Sequence, residues 1–235
     1  MTLPSEIVDL GNAALASMRA DPTHHLDWRL RQGLYLALEA YPASLVRQVR
    51  GRLAVLAAQY VLPIFTHAFP ARTLPRDLVT MAIAILDNTI APEDARRIED
   101  QGYHAIGNGI GYDVERALLL HNADTAAFAA YKAVVEARGW RDPFAHAARF
   151  AKAPLIAGVG NTFVAGEWIA GDQWTDEDWA HTAGAGDTAA AAAVAFACTE
   201  ESTACRPKHL RHFWEWWVQT ALPQAWEIAY QHVWA

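Results

Sequence analysis

Chemistry in this 235-residue chain would have to begin with its ten histidines, its glycine clusters, or one run of acids and tryptophans. Asp21-Pro-Thr-His24 and Asp178-Trp-Ala-His181 each set a carboxylate and an imidazole three residues apart, the spacing by which helix bundles seat metal ions. A di-metal bundle uses Glu-x-x-His twice with two further carboxylates, and this chain contains no Glu-x-x-His. Asp21-Pro22 also reads as a turn, so no metal ligand is assigned. His121 shares an apolar helical face with Val114, Ala117 and Leu118 and reads as a hydrogen-bonded core residue. His104 lies beside a glycine-rich bend and has no recognisable nucleophile near it in sequence.

The glycine clusters "IGNGIGY", "AGVGNTF" and "AGAGDT" lack the G-x-x-x-x-G-K-[ST] pattern, and none follows an expected strand. Asp187, just after Gly184 and Gly186, would repel a phosphate at the helix start it marks. No G-x-S-x-G elbow, H-E-x-x-H or zinc-type cysteine pair is present. Cys198 and Cys205 read as two reduced thiols. No catalytic residue, metal or cofactor is therefore expected.

The acid–tryptophan run "GEWIAGDQWTDEDWAH", residues 166–181, is different. It interleaves Glu167, Asp172, Asp176, Glu177 and Asp178 with Trp168, Trp174 and Trp179. Carboxylates steer a basic partner, and partly exposed tryptophans supply interface hot spots. The same acids at a helix start would also serve the helix dipole, with the tryptophans turned inward. These eight residues are nevertheless the main candidate partner-binding set. Trp216 joins them, because it falls off the apolar stripe of its own helix.

The elements that must position such a surface read as helices. Alanine makes up about a fifth of the chain and has the highest intrinsic helix propensity. Leu53, Leu56, Ala57, Tyr60, Val61, Ile64, Phe65 and Ala68 follow one helical face, with a kink or break expected at Pro63. Pro75 opens the next helix, "RDLVTMAIAILD", whose near-continuous apolar surface predicts a central, buried element. Pro92, Glu93 and Asp94 start another, with an interruption or bend expected at Gly107, Gly109 and Gly111. Asp124 is expected to cap a helix with the stripe Ala127, Phe128, Tyr131, Val134 and Val135. Further starts are expected at Asp142-Pro143, at Thr175 with Asp178, and at Asp187.

Four of the ten tryptophans fall within residues 209–226. Leu210, Phe213, Trp214, Trp217, Val218 and Ala221 form one stripe. After a break expected at Pro223, Ala225, Trp226, Ala229, Tyr230 and Val233 form a second. The fold class expected is all-α: a single α-helical domain over 1–235, a multi-helix bundle or irregular array of about ten to twelve helices.

Charge narrows the partners. Residues 100–200 hold six basic and thirteen acidic residues, which accounts for the whole net charge of −7. A phosphate binder needs the opposite sign, so neither nucleic acid nor an anionic membrane is expected. No stretch reaches the roughly 18 apolar residues of a membrane span. The start, MTLPSEIVDL, lacks the basic and apolar regions of a secretory signal, so a cytoplasmic protein is expected.

Two stretches carry a family resemblance. "RLAVLAAQYVLPIFTHAFPARTLPRDLVTMA", residues 52–82, contains Leu62, Pro63 and Phe65, then Pro70, Pro75 and Arg76. It resembles the apolar helix, Leu-Pro-x-Phe element and proline-bracketed loop of helical immunity proteins of bacterial polymorphic toxin systems, the immunity protein 5 type. The stretch "HFWEWWVQTALPQAWEIA" is similar to tryptophan-rich ends of such helical proteins. The resemblance implies a non-enzymatic, α-helical, toxin-neutralising protein whose partner is a cognate toxin domain, and the acidic run from Glu167 to Asp178 would suit a basic active-site cleft on that partner. Two other readings remain: a helical metal-dependent hydrolase using His24, His104, His121 or His181, and a helical scaffold protein.

Overall fold

The computed structural model describes residues 2–110, 121–139, 162–164, 167–169, 187–197 and 206–234. Helices α1 (Ser5–Ala20), α2 (Trp28–Leu38), α3 (Ala43–Ala68), α4 (Leu74–Leu86) and α5 (Pro92–Ile110) come first. Then come α6 (His121–Ala137), α7 (Thr188–Ala197) and α8, continuous over 207–234. Eight helices are thus present among the described residues, fewer than the ten to twelve expected. No helix among the described residues is long and apolar enough to cross a membrane.

The bundle has two core clusters that share α3 and α6. One gathers α1, α2, α7 and α8 around Leu53, Val61, Trp214 and Trp217. The other gathers α4 and α5 around Val55, Leu78, Leu86 and Val134. The centre is α6, which packs against α3, α4, α5 and α7. The expectation that α4 is central is corrected: Arg76, Asp77, Thr80 and Met81 leave it one exposed face. On α6, alanines cover most of the surface, so neighbouring backbones approach it from several sides.

The third helix begins at Ala43, ten residues before the apolar pattern that announced it. Its first half is rich in polar residues because they bind the C-terminal ends of two other helices. Gln48 Nε2 donates to the Leu86 carbonyl at 2.5 Å, and Arg47 Nη2 to the Ala137 carbonyl at 3.3 Å. Arg52 pairs with Asp87 just beyond α4. Helix ends leave such carbonyls without intrahelical partners, and cations suit them.

Neither proline breaks its helix, which corrects the break expected at Pro223 and leaves no break at Pro63. Around Pro63, α3 stays helical, and the carbonyl robbed of its donor belongs to solvent-exposed Gln59. Around Pro223, α8 widens beforehand into a π-turn over Trp217–Ala221, where Leu222 N donates to the Trp217 carbonyl. The acceptor that an α-helical Pro223 would have used belongs to exposed Gln219. In α5 the backbone is likewise helical through Gly107 and Gly109 to Ile110. Asp124 lies within the first turn of α6, which starts at His121.

Gly51 lies where α3 passes close to α4 and α6. A Cβ there would meet the Leu86 side chain and lie 3.3 Å from Ala137 Cα. The leucine can rotate away, but the backbone cannot. Gly51→Ala is expected to destabilise the chain by about 1–3 kcal/mol, the usual effect of overpacking. Urea unfolding measures this, and an unchanged midpoint would show that the helices separate freely there.

Candidate functional site

The first two residues of the acid–tryptophan set, Glu167 and Trp168, lie on a strand. Strand β1 (Thr162–Val164) pairs antiparallel with β2 (Glu167–Ile169), with Phe163 opposite Trp168 and Val164 opposite Glu167. The β-branched and aromatic residues of "TFV" and "EWI" suit this, but three residues are too few to display a period of two. Asp172, Trp174, Asp176, Glu177, Asp178 and Trp179 lie outside the described residues. So do the expected helix starts at 142 and 175, Gly111, His181, Cys198 and Cys205.

Trp216 is half-buried. Its ring stacks on Tyr60 with centroids 4.0 Å apart, and Phe213 lies 5.5 Å away. Tyr60 also meets Phe196 edge-on at 5.2 Å, so this aromatic group ties α3 to α7 and α8. The two expected stripes of α8 do face inward. Trp214, Trp217 and Trp226 are among the largest fully buried side chains.

The Asp21–His24 segment is a turn. Asp21 Oδ1 accepts from Thr23 N at 2.7 Å and Thr23 Oγ1 at 2.8 Å. His24 has a φ of 54°, and its Nδ1 lies 3.4 Å from the Met18 carbonyl. Among the described residues, no group of three His, Cys, Asp or Glu side chains is placed to hold a metal ion.

The most chemically loaded place is inside the bundle. Arg31 of α2 and Asp187, which caps α7, are both fully buried, with Nε and Oδ2 2.8 Å apart. Arg31 Nη1 also donates to the Leu26 carbonyl, and the guanidinium lies 5.1 Å from the centre of the Trp214 ring. Asp187 Oδ1 accepts from Ala190 N at 3.1 Å, closing the first turn of α7. From α6, Glu136 Oε1 accepts from both Thr188 N and Thr188 Oγ1 at 2.6 Å. Glu136 Oε2 has no hydrogen-bond partner among the described residues. Lys132, one turn earlier on α6, is buried as well. Tyr35 of α2 completes the group, with Arg50 of α3 5.1 Å from its ring centre.

Burial governs the protonation of this cluster. It pushes the Glu136 carboxyl up to about 7, Asp187 adds to the rise, and the two Thr188 hydrogen bonds oppose it. Burial also lowers the Lys132 ammonium and raises the Tyr35 phenol well above its ordinary value. The cluster can therefore exchange a proton near neutrality, and it joins α2, α6 and α7 by contacts with strict geometry.

This cluster was not anticipated, although one signal was available. Lys132 and Glu136 stand at i and i+4 in "TAAFAAYKAVVEA", a helix with almost no other polar side chain on which a solvated face could be built. Such a pair has to be buried along with the rest. Asp187 was visible only as a helix start, because Arg31 lies 156 residues away in sequence.

No protein-family model matches this chain, and no curated protein matches it either.

Proposed function

We propose that this chain is a non-enzymatic immunity protein that binds a cognate bacterial toxin domain and blocks its active site. One observation carries the reading: the two stretches that resemble such proteins, far apart in sequence, are packed on each other. The C-terminal part of α8 lies along α3, and Trp216 stacks on Tyr60 within the first stretch. Phe65, from the Leu-Pro-x-Phe element, is buried in the same core cluster as Trp214, Trp217 and Trp226. A rigid helical body with an acidic, tryptophan-bearing segment is suited to occluding a basic cleft, and occlusion requires no catalytic group.

The deciding experiment is growth of bacteria expressing the toxin domain encoded beside this chain, with and without it. Rescue of growth together with co-elution of the two proteins supports the proposal. A harmless neighbour, or killing that continues regardless, overturns it.

If the acidic run docks the toxin, replacing Asp176, Glu177 and Asp178 together by Ala should slow association on the order of tenfold at low salt. The salt dependence should become shallower while the melting temperature stays the same. Unchanged kinetics at low salt would remove this run from the interface.

A further inference from the structure

We propose that the contact between Glu136 and the first residue of α7 is a proton-controlled latch, closed while Glu136 holds a proton and loosened when it gives the proton up. The latch would act whether or not a toxin is bound.

Its geometry comes first. One carboxyl oxygen of Glu136 takes two 2.6 Å hydrogen bonds from Thr188, which docks the N-terminus of α7 on α6. In the neutral carboxyl, Oε1 still accepts both bonds while the proton resides on Oε2. In the carboxylate, a second negative charge is added beside Asp187 at a buried site. The charged and titratable groups around it are Asp187 on the α7 cap, Arg31 and Tyr35 on α2, Arg50 on α3, and Lys132 on its own helix. Where α4 and α5 pack, α6 offers apolar Ala130, Ala133 and Val134. The Arg31 guanidinium is already engaged by Asp187 and the Leu26 carbonyl. Lys132 is itself disfavoured as a cation by burial.

The sign follows from linkage. Closed, Glu136 holds its proton up to about pH 7; opened into water, it reverts toward its ordinary value of 4.5. Closure therefore takes up a proton. Opening becomes easier as pH rises from 4.5 to 7, then levels off.

Amide hydrogen exchange of the full chain tests the latch, with rates corrected for the base-catalysed intrinsic rate. Protection of the Thr188 amide is expected to fall on the order of 50-fold between pH 5 and pH 8. In Glu136→Gln, whose amide oxygen still accepts from Thr188, protection should not change with pH. Equal protection of the wild type at both pH values, or the same fall in Glu136→Gln, overturns the latch. The carboxyl carbon of Glu136, followed by NMR in the wild type, gives a reading that does not depend on the variant folding. A midpoint near neutrality supports the latch, and one in the ordinary carboxylate range refutes it.

Discussion

An Arg31→Met protein is expected to lose about 3–5 kcal/mol of folding stability, the range for removing one partner of a buried ion pair. The guanidinium and the Asp187 carboxylate are both fully shielded, 2.8 Å apart. Removing the cation leaves the buried carboxylate without its ion-pair partner. For a chain of this length, that loss lowers the melting temperature by about 10 °C. The test is a double-mutant cycle with Asp187→Asn, which keeps the side-chain oxygen that caps α7. Each single variant strands one charge, whereas the double variant strands neither. The double variant should therefore be more stable than the two single losses add up to, by about 2–3 kcal/mol. Simple additivity would mean that Arg31 and Asp187 act separately and that the pair does not hold α2 to α7.

Trp217→Ala is the second large effect, at about 3–5 kcal/mol. Trp217 is 1% exposed, meets Trp214 edge-on at 5.8 Å and Tyr35 at 6.4 Å, and opens the π-turn. A cavity of indole size between two aromatic neighbours and packed helices cannot close by small shifts. Two companion variants show whether the aromatic crowding is core or surface. Trp216→Ala should lose about 0.5–1.5 kcal/mol, chiefly the stack on Tyr60. Trp234, at 57% exposure, should tolerate Ala within about 0.5 kcal/mol. Chemical denaturation of all three gives the ranking. Equal losses at Trp216 and Trp217 would contradict the difference in their burial. A near-neutral Trp216→Ala that weakens toxin binding would make Trp216 an interface anchor.

These residues also show why some of the architecture was legible and some was not. The two stripes of α8, the proline start of α4 and the acidic start of α5 are local signals, written within a turn or two of sequence. The start of α3 was hidden because Arg47, Gln48 and Arg52 look like a solvated face when they are in fact paired with distant helix ends. The central place of α6 was hidden because alanine reports helix propensity but not which faces will be covered. The prolines misled because breakage depends on where the freed carbonyl faces, and Gln59 and Gln219 both face water. Of the proposed partner-binding residues, sequence position alone located the acidic run. The buried cluster depends on a pairing between residues 31 and 187 that no local window contains.

The pairing of Arg19 with Glu215, 2.8 Å across a separation of 196 residues, has a consequence for how the protein is made. Helix α8 covers the inward side of α1, so Ile7, Leu15 and Met18 share a cluster with Phe213 and Trp217. While the ribosome is still translating the middle of the chain, α1 lacks the part of its cover that α8 supplies. Contacts between such distant segments carry a large loop-closure entropy and form slowly. A nascent chain stopped at residue 206 would leave that side open, a substrate for chaperones and proteases. Newly made protein therefore keeps this side of α1 exposed to quality control until α8 emerges.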